Sequence, residues 1–137
     1  MHRAHLDQMR AHIESCLPNE ACGLLAGAGH TVKMVLPVAN QEQSPTRFRM
    51  DAREQLRAFR SIEQAGLGLV GIFHSHPGEV DSQASALTGP SATDVREAAY
   101  QVVQVVWVRQ QGLWIANGFW IEDGRVSAVP LHIVAGE

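Results

Sequence analysis

Residues 67–76, LGLVGIFHSH, constrain the fold more than any other stretch of this 137-residue chain. Seven residues pass without a charged or strongly hydrogen-bonding side chain, and the run then stops at two histidines one serine apart. A strand wetted on one face alternates apolar and polar residues, whereas an unbroken apolar run is a strand covered on both faces. Such a strand belongs in the middle of a sheet, with other layers packed on either side of it. At its end the same alternation puts His74 and His76 on one face, with Cα atoms about 6.5 Å apart, and Ser75 on the other. Alone, an H-x-H pair is more often two ordinary polar residues at a strand end than a metal site, so it needs partners.

The rest of the chain supplies the layers. Leu6, Met9, Ile13 and Leu17 recur at helical spacing, which predicts an amphipathic helix over 3–16, closed by Pro18-Asn19. Residues 20–27 and 31–38 are short apolar segments around Gly27-Ala28-Gly29, read as a hairpin, with Pro37 placing the second near a sheet edge. Asp51-Ala52-Arg53-Glu54 has the D-x-x-E form of a helix start, and Leu56, Phe59 and Ile62 carry one apolar face on to Gly66. A short helix is expected from Ser91, then strands over 101–109, 113–121 and 125–134, the last two joined by an Asp123-Gly124 turn. Asn117-Gly118 reads as a bulge or an earlier turn. This order predicts one α/β domain over 1–137, a mixed β-sheet flanked by helices.

Composition narrows the function. The hydrophobic share of 45% with 18% charged residues suits a globular core, and a formal net charge of −3 without a lysine or arginine block argues against a nucleic-acid surface. The N-terminal MHRAHLDQMRAHIESCL breaks its apolar residues every few positions, unlike a signal peptide or membrane span, so a cytoplasmic protein is expected. Cys16 and Cys22 form no disulfide framework and lack C-x-x-C spacing, which leaves nitrogen and oxygen as the donors for any metal.

A catalytic zinc typically takes three protein ligands and keeps a position open, so His74 and His76 require one more donor. Ser91-Ala92-Thr93-Asp94 offers Asp94. Taken alone, S-x-x-D is a capping box, but a helix start that fixes Ser91 and Asp94 is compatible with Asp94 as a ligand and Ser91 facing a substrate oxygen. Hydrolysis also needs a base, and Glu20, where a loop enters an apolar strand, is the candidate; its plainer reading is an exposed glutamate at a strand start. Cys22 is read as a small core residue.

Glu20 in PNEACGLLAG, then His74-Ser75-His76-Pro77, then Ser91-Ala92-Thr93-Asp94 together resemble the JAMM, or MPN-positive, zinc metallopeptidase family, as do Asn40, Pro45, Phe48, Asp51 and the terminal WIANGFWIEDGRVSAVPLHIV. The resemblance implies an MPN fold of the cytidine-deaminase-like kind. It implies one zinc on His74, His76 and Asp94, with Glu20 as general base and Ser91 stabilising the oxyanion. It also implies a substrate: the C-terminal Gly-Gly tail of a ubiquitin-like or sulfur-carrier protein, cut at a peptide or isopeptide bond. Two alternatives stay open, a non-catalytic scaffold on the same fold and a different metal enzyme, such as an iron oxygenase, on the same ligands. The chain departs from the family in the 13 residues from Gly78 to Pro90, a longer connection than usual. Rich in Gly, Ser and Ala, this connection is expected to form a mobile flap, with Glu79 and Asp81 as solvated carboxylates.

Overall fold

The computed structural model describes residues 1–80, 90–91, 94 and 100–134. Among them are helix α1 (Arg3–Cys16), strands β1 (Cys22–Ala28) and β2 (Thr31–Val38), helix α2 (Ala52–Gln64), and strands β3 (Gly68–Val80), β4 (Val103–Gln110), β5 (Leu113–Glu122) and β6 (Arg125–Val129). The strands form one mixed sheet in the order β2-β1-β3-β4-β5-β6, in which only the β3–β4 pair is parallel. β2, with Pro37, lies at an edge, where a missing N–H costs no ladder bond. β3 lies inside the sheet between β1 and β4.

The two helices cover opposite faces, which is why β3 is apolar from Gly68 to Phe73. Phe73 packs with Met9 and Ile13 of α1 and with Leu25, Val105 and Trp107. Ile72 points the other way and packs with Ala58 and Ile62 of α2 and with Leu24, Ala26 and Val38. Strand alternation then carries His74 and His76 to the α2 side and Ser75 to the α1 side. The α2 start is half a capping box: Asp51 accepts from Glu54 N–H at 3.0 Å, but the Glu54 carboxylate receives Ala39 N–H at 3.0 Å instead of turning back. That bond ties the helix to the end of β2.

Three features differ from expectation. β3 runs past His76 to Val80, with a register shift after His76, and Glu79 and Val80 pair with Arg109 and Gln110. Pro77 has no N–H for the ladder, and its carbonyl receives the Arg109 guanidinium at 3.0 Å instead. The first residues of the expected flap are thus sheet, while 81–89 lie outside the described residues, as does most of the helix expected from Ser91; Asp94 itself is helical. Asn117-Gly118 is neither turn nor bulge: both pair regularly within β5, opposite Val106 and Val105. Gly118 is there for close approach, since a Cβ would stand 2.6 Å from the Val129 carbonyl oxygen. β6 stops at Val129, before Pro130.

Candidate metal centre

The register of the sheet builds the site. β1 runs antiparallel to β3 with Cys22 opposite His74, so continuing that pairing by two residues brings Glu20 opposite His76 on the same face. Glu20 lies just before the ladder begins and is only 3% exposed. Its backbone is held from outside the sheet: its N–H donates to Ser44 O at 2.8 Å, and its carbonyl accepts from Asn40 Nδ2 at 3.0 Å. The next residue, Ala21, is clasped by Ser75, whose N–H donates to Ala21 O at 3.1 Å and whose Oγ accepts Ala21 N–H at 2.9 Å. The serine between the histidines therefore locks the strand of Glu20 to the strand of the histidines from the opposite face.

Asp94 completes the cluster. His74 Nε2 and His76 Nε2 are 3.1 Å apart, and each lies 3.0–3.1 Å from Asp94 Oδ2. Ser91 and Asp94 form a reciprocal box as well, with Ser91 N–H donating to Asp94 Oδ2 at 2.8 Å and Asp94 N–H to Ser91 Oγ at 3.1 Å. The S-x-x-D cap is thus formed, and the same Asp94 Oδ2 faces both histidines. Ligand atoms of Glu20, His74, His76 and Asp94 all lie within 4.8 Å of one another. The ring of Phe48 stacks on His74 with centroids 4.5 Å apart and planes 23° from parallel. Among the described residues His74 Nδ1 has no hydrogen-bond partner, so the stacking of Phe48 holds a ring that an acceptor at Nδ1 would ordinarily orient.

The donor set fits a divalent ion. Three atoms in a triangle of 3.0–3.1 Å edges approach the edge of about 3.3 Å that tetrahedral bonds of 2.0–2.1 Å require. As lone-pair donors the two imidazole nitrogens and the Asp94 oxygen converge well on a single ion. A carboxylate oxygen of Glu20 lies within 4.8 Å of these three atoms, and among the described residues Glu20 Oε1 is buried without a partner. Two nitrogens and a carboxylate oxygen are ligands that suit zinc.

Electrostatics separate the roles. Burial lifts the Glu20 carboxyl to about 7, with Asp94 adding to the rise and His76 opposing it. Burial works against ionised Asp94, yet hydrogen bonds from His74 and His76 hold its carboxyl well below the ordinary range. Burial lowers the pKa of His74. At His76 burial is outweighed by the hydrogen bond and charge of Asp94, and the pKa rises. Cys22, fully buried with Sγ donating to Val38 O, is pushed up to about 12 by burial and is a core residue, as its place in the sequence suggests.

A cleft of about 670 Å³ reaches the cluster, lined by His74 and Asp94 together with Phe48, Gln55, Tyr100 and Gln104. All five residues singled out from the sequence, Glu20, His74, His76, Ser91 and Asp94, are thus brought together. What spacing alone did not reveal is the work of the 40–50 segment: Asn40 and Phe48 carried only a resemblance, and no periodicity links Phe48 to His74.

The chain is similar to known proteins along nearly its whole length. The pattern of the family described as prokaryotic homologs of the JAB domain matches residues 2–122. A CysO-cysteine peptidase of Mycobacterium tuberculosis is 34% identical over 133 residues, covering 94% of this chain and 86% of the relative. A probable TtuB-protein conjugate cleaving protease of Thermus thermophilus is 37% identical over 128 residues, covering 93% and 78%. The solution structure of a Desulfitobacterium hafniense protein superimposes with a TM-score of 0.84 at 31% identity, covering 98% and 92%. The sheet order, the paired histidines and these likenesses agree, and this chain belongs to the prokaryotic JAB-domain family, of the JAMM (MPN-positive) type.

Proposed function

We propose that this protein is a zinc-dependent peptidase or isopeptidase, acting as one domain over 1–137, that cleaves at the C-terminal Gly-Gly tail of a ubiquitin-like or sulfur-carrier protein. The observation that carries the reading is the convergence of His74 Nε2, His76 Nε2 and Asp94 Oδ2 beside the buried carboxyl of Glu20. The names of the relatives supply the substrate class, since one is a CysO-cysteine peptidase and another a probable protease of TtuB conjugates. Two free cysteines suit a reducing compartment such as the cytoplasm, and among the described residues no helix is long and apolar enough to cross a membrane.

His74, His76 and Asp94 hold the zinc. When bound, zinc supplies a Lewis acid for the scissile carbonyl and acidifies a water molecule. Glu20, poised near neutrality by burial, takes a proton from the attacking water on a carboxylate oxygen and returns it to the leaving amine nitrogen. Ser91 Oγ accepts from Asp94 N–H and still has its own proton to donate, which it aims at the oxyanion of the tetrahedral intermediate. Phe48 keeps the His74 ring in place and shields one of its faces from water.

The test is incubation of the zinc-loaded protein with ubiquitin-like and sulfur-carrier proteins extended beyond Gly-Gly, read by intact mass. A product ending in Gly-Gly is expected. Intact substrates across the panel, with zinc bound, would favour the scaffold alternative.

A further inference from the structure

Glu20 precedes the first ladder pair of β1, and among the described residues its buried Oε1 has no hydrogen-bond partner, so neither the ladder nor a side-chain hydrogen bond at that oxygen fixes the carboxyl beside the triangle. Its backbone must do so. Both of its main-chain groups are taken by one segment, the loop that leaves Asn40 and returns to it through an isolated bridge to Met50. Ser44 O receives the Glu20 N–H, and Asn40 Nδ2 donates to the Glu20 carbonyl.

The Asn40 amide uses every hydrogen-bonding position it has. Its Oδ1 accepts from Glu42 N–H at 3.1 Å and Arg49 N–H at 3.0 Å, and its Nδ2 donates to Arg47 O and Glu20 O, each at 3.0 Å. The bonds to Glu42, Arg47 and Arg49 shape the loop, as an Asx turn does. The fourth, across 20 residues to Glu20, shapes nothing in the loop. The same loop carries Phe48 onto His74, so one side chain joins the mount of the carboxyl to the mount of a ligand.

We propose that Asn40 is a positioning residue that holds Glu20 in register with the His74, His76 and Asp94 triangle. The inference rests on the reading of Glu20 as the base. A one-ångström displacement of a reacting group is enough to cost turnover on the order of 10²-fold, so a single backbone bond at this place has leverage beyond its own strength.

Asn40→Asp keeps both acceptor bonds, to Glu42 and Arg49, and loses both donor bonds, to Glu20 and to Arg47, because a carboxylate has no N–H to give. In the metal-free protein, amide exchange at Glu20 and Ala21 is expected to quicken by about tenfold or more, with the β1 amides beyond Cys22 unchanged. In the zinc-loaded protein, kcat is expected to fall by about tenfold or more with zinc affinity retained, each variant being assayed well below its own unfolding midpoint. In the Glu20→Gln background the same change should lower kcat by less than about twofold, because there is no base left to misplace. Asn40→Ala, which loses all four bonds, should match Asn40→Asp in kcat while unfolding at a lower temperature. Unchanged exchange at Glu20, normal kcat in Asn40→Asp, or losses that multiply with Glu20→Gln would each overturn the proposal. Full turnover by Glu20→Gln alone would instead remove Glu20 as the base.

Discussion

At the residue scale, Glu20 and Asp94 are two carboxyls within 4.8 Å of shared partners that the fold drives in opposite directions. Asp94 is held ionised by two imidazoles, which suits the ligand role proposed for it, while burial lifts the Glu20 carboxyl toward neutrality, which suits the proposed base. Replacing each should therefore fail differently. Glu20→Gln should keep zinc and lose turnover by about 10²-fold or more. Asp94→Ala should lose zinc affinity by more than about 100-fold, since outer partners of a metal ligand alone are worth 10–100-fold. Zinc competition titrations beside a turnover assay separate the two, and equal zinc loss in both variants would make Glu20 a fourth ligand. Burial of Glu20 also gives the metal-free protein a pH signature. Its folded pKa of about 7 lies above the ordinary 4.5, so between those values the folded state keeps a proton that the unfolded chain has released. Stability then falls as pH rises through that window, by up to about 3 kcal/mol. Urea unfolding at pH 5 and pH 8 should show this fall in the parent and a smaller one in Glu20→Gln; equal falls would place the titration on other groups.

At the scale of elements, the sheet is assembled by close approaches as much as by apolar burial. Glycine within a strand ordinarily weakens it, so replacement by alanine tends to help. Gly118 reverses that rule, because the added Cβ would meet the Val129 carbonyl oxygen at 2.6 Å and Leu131 Cδ2 at 2.8 Å. Gly118→Ala should destabilise by about 1–3 kcal/mol, the usual cost of overpacking. Gly68, at the start of β3, has open space around the same position, and Gly68→Ala should be neutral or mildly stabilising. Thermal unfolding of the pair provides an internal control; a stable Gly118→Ala protein would mean that β6 and the segment after it move aside easily.

On the scale of the whole molecule, α1 and α2 cover opposite faces of one sheet, and β3 contributes to both cores through Phe73 and Ile72. Loss of either layer exposes the strand that carries the histidines, so the metal site and the core should unfold together. A single transition is expected by circular dichroism and tryptophan fluorescence alike. Zinc at about 100 times its Kd should add about 2.7 kcal/mol to stability by binding only the folded form. Noncoincident transitions, or a midpoint indifferent to zinc and to chelator, would separate the site from the fold.

The sequence by itself determined a good deal. The helix over 3–16, the edge strand with Pro37, the capped start of α2 and the central double-faced strand all follow from short-range rules of periodicity, capping and backbone chemistry. The placing of His74 and His76 on one face follows in the same way from strand alternation. Other features depend on contacts distant along the chain, and only the tertiary structure decided them. Asn117-Gly118 carries a turn signal, but pairing on both sides of β5 overrides it, and the glycine serves a carbonyl in β6. Antiparallel pairing of β1 with β3 brings Glu20 alongside histidines more than 50 residues away, and no periodicity sets that register. Asn40 reaching back to Glu20, Phe48 lying on His74 and Ser75 clasping Ala21 are likewise products of chain return. Local propensity chooses the elements because each residue senses its near neighbours, but a site assembled from four segments exists only where packing and register have brought those segments together.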